Sequence, residues 1–210
     1  MRRTWQDGIF GANPLIRAGM TRDFSIAITG HRPNRLPAAC RDDVAAQIGV
    51  LLDQMAAAAK THARRPVLIS ALAEGADRMA AEAALARGIA LVSVLPFAED
   101  EYARDFPDDA SQAQFRQLMA LSERVVQLPG DGQRRDAAYE AAGLAALEMA
   151  DILIAVWDSQ PAAGRGGTAQ IVAHAAKCGL PVVVVDAAAG IAPHALPGSA
   201  AEAIALAMRR

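Results

Sequence analysis

The run Gly164-Arg165-Gly166-Gly167-Thr168 carries the sharpest chemical signal in this chain. Glycines let a backbone pack its N–H groups around an anion, and a helix starting directly behind them adds its positive dipole end. Thr168 can cap that helix or donate its hydroxyl to a phosphate, and Arg165 can add a charged fork. The same letters also describe an ordinary loop with a threonine cap.

A second cluster, Thr29-Gly30-His31-Arg32-Pro33-Asn34-Arg35, places cationic and titratable side chains directly after a glycine. Arg32 is a candidate phosphate contact, and His31 can serve as a hydrogen-bonding group or as an acid or base. A third stretch, Ser70 to Arg78, offers Gly75 for close backbone approach, with Glu74 and Asp77 as acceptors for ribose hydroxyls. Asp77 can equally do no more than complement a first-turn helix dipole. Asp158 closes a further apolar run. Arg134, Arg135 and Tyr139 open a helical stretch where cations oppose the macrodipole, which a nearby anion or plain solvent exposure would explain. Arg135 therefore joins the candidate ligand contacts. The acidic segment 96–106, with interleaved aromatics, reads either as a lid setting Tyr102 against a base or as a turn anchored to the core by its rings.

These groups need elements to hold them. Apolar runs at 24–29, 66–70, 90–95, 124–128, 151–157 and 181–186 are short, rich in Val and Ile, and mostly not alternating in polarity. Such runs suit strands buried on both faces. Between them, helices are expected at about 38–60, 76–87, 108–122, 134–150, 168–178 and 199–209, with Gly88 and Gly179 as stop signals. The pattern predicts an α/β fold, a doubly wound Rossmann-like parallel sheet of about six strands with helices on both faces. Ligands of such sheets bind beyond the carboxyl ends of the strands, where strand order reverses. Residues 1–22 break the pattern and read as an N-terminal arm to one domain at 23–210; Met20 is a candidate natural start.

Composition narrows the partners. The chain has 210 residues, 53% hydrophobic and 21% charged, which excludes a disordered reading. Net charge is −2, so the broad phosphate neutralisation of a nucleic-acid surface is not expected, whereas a small anion needs only one local cluster. Cys40 and Cys178 lie far apart without metal-ligand spacing, so two free thiols, no metal and a reducing, cytoplasmic setting are expected. No apolar stretch approaches the roughly 18 residues of a membrane span. No cofactor is expected, and a homo-oligomer is open.

Two segments carry a family resemblance. LISALAEGADRMAAEAALARGIALVSVLPF resembles the second strand, glycine turn, helix and third strand of the SLOG superfamily, which includes the DNA-processing A proteins and the LOG hydrolases. MADILIAVWDSQPAAGRGGTAQIVAHAAKCGLPVVVV is similar to that superfamily's strand, Gly-Gly-Thr loop and helix. The resemblance covers roughly residues 24–187. It implies a Rossmann-like fold that binds nucleotides, nucleotide-derived signals or, in one branch, single-stranded DNA. LOG enzymes cleave the N-glycosidic bond of nucleoside monophosphates with the glutamate of a PGGxGTxxE loop; here Ile171 stands at that position. The expectation is therefore a sensor-like domain for a phosphorylated nucleotide or nucleotide derivative, ADP-ribose-like or a nucleoside monophosphate. The alternatives are a phosphoribohydrolase, its catalytic residues unknown and Glu74 or Asp158 replacing the glutamate, and a partner-binding subunit with a vestigial pocket.

Overall fold

The computed structural model describes residues 23–161, 166–187 and 191–196. The predicted arm, the helix expected at 199–209 and Arg165 lie outside the described residues. Six strands form where the apolar runs place them: β1 (Phe24–Gly30), β2 (Pro66–Ser70), β3 (Ala90–Leu95), β4 (Arg124–Gln127), β5 (Ile152–Trp157) and β6 (Val182–Asp186). These six are parallel to one another. A seventh, β7 (His194–Ala195), pairs antiparallel with β6, so the sheet has seven strands rather than six. Two residues of mixed polarity give no apolar signal. The order is β4-β3-β2-β1-β5-β6-β7.

The helices are α1 (Arg41–Thr61), α2 (Ala76–Leu85), α3 (Glu99–Ala103), α4 (Asp109–Ala120), α5 (Arg135–Met149) and α6 (Thr168–Lys177). Five fall inside the expected spans to within a few residues; α3 is additional, a single turn in the acidic segment. Asp108 starts α4 by accepting a hydrogen bond from the Ser111 backbone N–H at 2.8 Å.

Successive strand residues face opposite sides, and both sides are covered. Ile26 and Ile28 of β1, Leu68 of β2 and Ile152, Ile154 and Val156 of β5 pack with Ile48 and Leu52 of α1 and Ala80 and Ala84 of α2. The alternate residues Ala27, Leu153 and Ala155 meet Ile171, Val172 and Ala175 of α6. Val67, Ile69, Val92 and Val94 meet Ala142 and Ala146 of α5. Burial on both faces is why these runs do not alternate in polarity.

β1 and β5 are neighbours, yet the helices that follow them lie on opposite faces of the sheet. Their loops must part at the carboxyl ends, which opens a cleft. Gly30, the last residue of β1, sits at the parting point: a Cβ there would lie 2.4 Å from the Ala76 Cβ and 2.8 Å from the Val156 Cβ. Gly30→Ala should therefore cost about 1–3 kcal/mol through overpacking. Thermal unfolding should show a melting temperature several degrees lower, and an unchanged one would mean that this contact does not set the spacing.

Candidate ligand-binding site

His31 holds the site together. Its backbone N–H donates to the Val156 carbonyl of β5 at 3.1 Å, and its carbonyl accepts from the Ala76 N–H of α2 at 3.2 Å. Its side chain, 4% exposed, places Nε2 2.9 Å from Asp158 Oδ1 and 3.2 Å from the Asp158 backbone N. Arg35 donates to the other carboxylate oxygen at 2.7 Å. Partial burial works to raise the Asp158 pKa, but the hydrogen bonds from His31, the Gln160 N–H and Arg35 hold it at about 2. Asp158 is thus an ionised acceptor, and its own backbone N–H donates to the His31 Nε2. The pair clasps the ends of β1 and β5 together, with His31 lining the cleft.

The cleft beside this clasp has a volume of about 320 Å³, at the lower end of small-ligand sites. One wall is the amino end of α6, with Gly166, Gly167, Thr168 and Ala169. Gly167, not Thr168, holds the N-cap position, and no side chain caps the helix. The Gly166 N–H donates to the Gln170 side chain at 2.7 Å, and the Gln170 and Ile171 N–H groups donate to the Gly167 carbonyl. The Thr168 and Ala169 N–H groups have no acceptor among the described residues, as expected of a first turn. A Cβ on Gly166 would stand 2.8 Å from the Glu140 backbone N, so this turn packs directly on α5.

The other wall carries Arg32, Asp77, Tyr102 and Tyr139. Arg32 lies 5.4 Å from the Tyr139 ring centroid, and among the described residues it makes no salt bridge. Gly75, with a φ of +90°, brings the loop before α2 against this segment, since a Cβ there would meet the His31 carbonyl at 2.4 Å. Asp77 follows it, 6% exposed. Burial pushes its carboxyl up to about 7, against the opposing pull of the backbone at Ala73 and Ala71 and the charges of Arg32 and Arg78.

Four expected contacts, Glu74, Gly75, Arg135 and Asp158, do not line the cleft, and two of them are turned to other partners. Glu74 accepts a hydrogen bond from the Ser111 hydroxyl and does not line the cleft. Arg135 is paired with Glu101 and Asp105, stacked over Phe97, and is likewise outside the lining. The anion that explains a cation in this first turn is the protein's own acidic segment. Tyr102 is buried in a cluster with Phe97, Phe106 and Phe115, so the rings of that segment anchor it to the core. Ile171, at the position of the LOG glutamate, is buried against α5 where Gly143 leaves room for its side chain. Cys178 is an exposed free thiol. Among the described residues no three metal-ligating side chains cluster, and no helix is long and apolar enough to cross a membrane.

Arg35 and Tyr139 line the cleft without having been singled out as ligand contacts, and so does Tyr102, which was singled out only in the lid reading of its segment. Arg35 was legible in the run of cations after Gly30, whereas the two tyrosines reach the cleft only through the packing of α3 and α5.

No family model matches the chain, and no curated relative matches it. Its fold is similar to that of DNA processing protein A. The Streptococcus pneumoniae structure aligns over 90% of this chain and 57% of its own, with 18% identity and a TM-score of 0.58. DNA processing protein A from Helicobacter pylori, a protein that binds single-stranded DNA, aligns over 78% of this chain and 65% of its own, with 18% identity and a TM-score of 0.52. The chain thus spans less than two thirds of either protein. The SLOG resemblance holds at the level of fold. The expectation against nucleic acid gains no support from this comparison.

Asp77 makes a stability prediction. Its folded pKa lies above the unfolded value of about 3.9, so between those pH values the folded state holds the extra proton. Stability from this group therefore falls as pH rises from about 4 to about 7 and is level above. Asp77→Asn should gain on the wild type between pH 5 and pH 8, the difference widening by on the order of a few kcal/mol. Denaturant unfolding at both pH values checks this; a difference that does not widen would contradict it.

Proposed function

We propose that the cleft binds a phosphorylated nucleotide or nucleotide derivative, with the phosphate at the amino end of α6 and against Arg32. The observation that carries this reading is the pairing of unused donors across one small cleft. The Thr168 and Ala169 N–H groups stand on one wall and an arginine without a carboxylate partner among the described residues on the other. A helix amino end favours an anion by some tenths of a kcal/mol when exposed and by more when partly buried, and a guanidinium adds a charge-assisted fork. The position beyond the carboxyl ends of β1 and β5 is where sheets of this order take ligands.

Binding without hydrolysis is the favoured form. Ile171 supplies no acid or base, Glu74 is turned to Ser111, and Asp158 is held by His31 and Arg35. Asp77 is the carboxyl that remains at the cleft, so free base or ribose phosphate released during a titration would move it to an acid–base role. Because the fold is shared with a protein that binds single-stranded DNA, an oligonucleotide belongs in the same panel.

Calorimetric titration with nucleoside mono- and diphosphates, ADP-ribose and oligo-dT tests the reading. A nucleotide should bind the wild type, and Arg32→Ala should weaken it about tenfold, as for the loss of one charge-assisted hydrogen bond. Gly167→Val should abolish it: Gly167 has a φ of −78°, which valine adopts without backbone strain, so the loss would report blocked access. Equal affinity for wild type and Gly167→Val would move the phosphate elsewhere. Binding of oligo-dT alone would replace the nucleotide reading.

A further inference from the structure

The inner part of the cleft is the feature that phosphate binding leaves unexplained. Its mouth is polar and half-buried, with Arg32, Arg35, Gly166 and Gly167. Behind them the lining turns aliphatic: Ala27 of β1, Leu153 of β5, Ala142, Ala146 and Leu147 of α5, and Ile171 of α6, each of them buried. None of these side chains carries a donor or an acceptor. Ala27 and Leu153 are register partners on adjacent strands and make the floor. Ala142 and Ala146 stand one turn apart on α5 and make the roof. That roof closes where α5 meets α6, since a Cβ on Gly143 would lie 2.4 Å from the Ile171 Cδ1.

On this side of the sheet the core of the described residues falls into two clusters. Ala27, Leu147, Leu153 and Ile171 belong to one, and Ala142 and Ala146 to the other. The opposite side packs as one cluster. The chamber lies along the seam, where small side chains on β1 and α5 leave room. Protein interiors pack to the density of organic crystals, and a dry void lined by aliphatic groups takes up hydrocarbon rather than water. A nucleobase does not suit it, because the polar edges of the base would lose water and gain no partner. The occupant is therefore a hydrocarbon group, and α6 shows where it is attached. Ile171 lies one turn from Thr168 on the same helix face, so the chamber opens directly behind the amides that take the phosphate. A group entering from there hangs on the phosphate and not on the base.

We propose that the chamber receives a short hydrocarbon chain esterified to the phosphate of the ligand, with the nucleoside carried on another phosphate oxygen at the polar mouth. The preferred ligand is thus an alkyl phosphate ester. This rests on the phosphate position of the nucleotide reading and adds to it the group that the inner cleft selects. Each methylene moved from water into the chamber should tighten binding about fourfold until the space is full.

The test is calorimetric titration of the full chain with two matched pairs: methyl and butyl phosphate, and adenosine 5′-monophosphate and its butyl ester. Wild type is compared with Ala146→Leu and Ala142→Val. For the wild type the butyl member of each pair should bind at least about tenfold tighter than its partner. In Ala146→Leu, whose added side chain enters the chamber, both ratios should fall towards one. Ala142→Val serves if the leucine variant folds poorly. Equal affinities within either pair in the wild type would overturn the assignment, while binding of adenosine 5′-monophosphate in the same experiment would leave the nucleotide reading intact. A butyl preference that survives in both variants would place the hydrocarbon elsewhere and overturn the assignment too. Failure of all four compounds to bind would instead overturn the phosphate site itself, and this inference with it.

Discussion

The site depends on one residue being bonded in three directions. His31 gives its N–H to β5, takes an N–H from α2 through its carbonyl, and sets its imidazole on Asp158 at the end of β5. Two adjacent parallel strands whose chains leave towards opposite faces would otherwise splay at this point. The clasp fixes the width of the opening, and the residues on either side inherit their positions from it. Arg32 is the next residue in the chain, and Asp77 follows the α2 residue that His31 binds. A histidine buried in this way works as a structural tie at the edge of the cleft.

Glycines make the approach of these segments possible. Gly30 lets β1 touch α2 and β5, Gly75 lets the loop before α2 close on His31, and Gly166 lets the turn before α6 rest on the backbone of α5. Side chains at these three positions would push apart the walls of the cleft. The acidic turn α3 closes the far side, pinned by its aromatic cluster and by the ion pairs of Arg135 with Glu101 and Asp105. Among the described residues Arg32 makes no salt bridge and the Thr168 and Ala169 N–H groups have no acceptor, all on the same cleft.

The parallel sheet was legible because its strands are buried on both faces, which leaves an unbroken apolar run of four to seven letters. The loops that line the cleft were legible for the same reason, since they follow the carboxyl ends of those strands. The antiparallel β7 was not, because two residues of mixed polarity hold no pattern. The division of labour among charged side chains was also hidden. Glu74 and Asp77 stand three residues apart, yet one turns to Ser111 and the other into the cleft. Arg135 did signal a nearby anion, and its source is the neighbouring α3 segment, a tertiary contact that spacing along the chain does not record. Thr168 resembles a cap in the sequence, but the helix begins one residue earlier than that role requires.

The central claim is that the ligand sits where β1 and β5 part, between Arg32 and the amino end of α6. Backbone-amide NMR of the full chain, titrated with adenosine 5′-monophosphate and with ADP-ribose, tests it most directly. The account predicts saturable shifts grouped at Gly30–Arg32, Ala71–Asp77 and Gly166–Ala169. A second cleft of about 360 Å³, lined by Leu144, Glu148, His174 and Cys178, lies at the opposite end of the strands and provides an internal contrast. Shifts grouped around that cleft, with the switch point silent, would contradict the account.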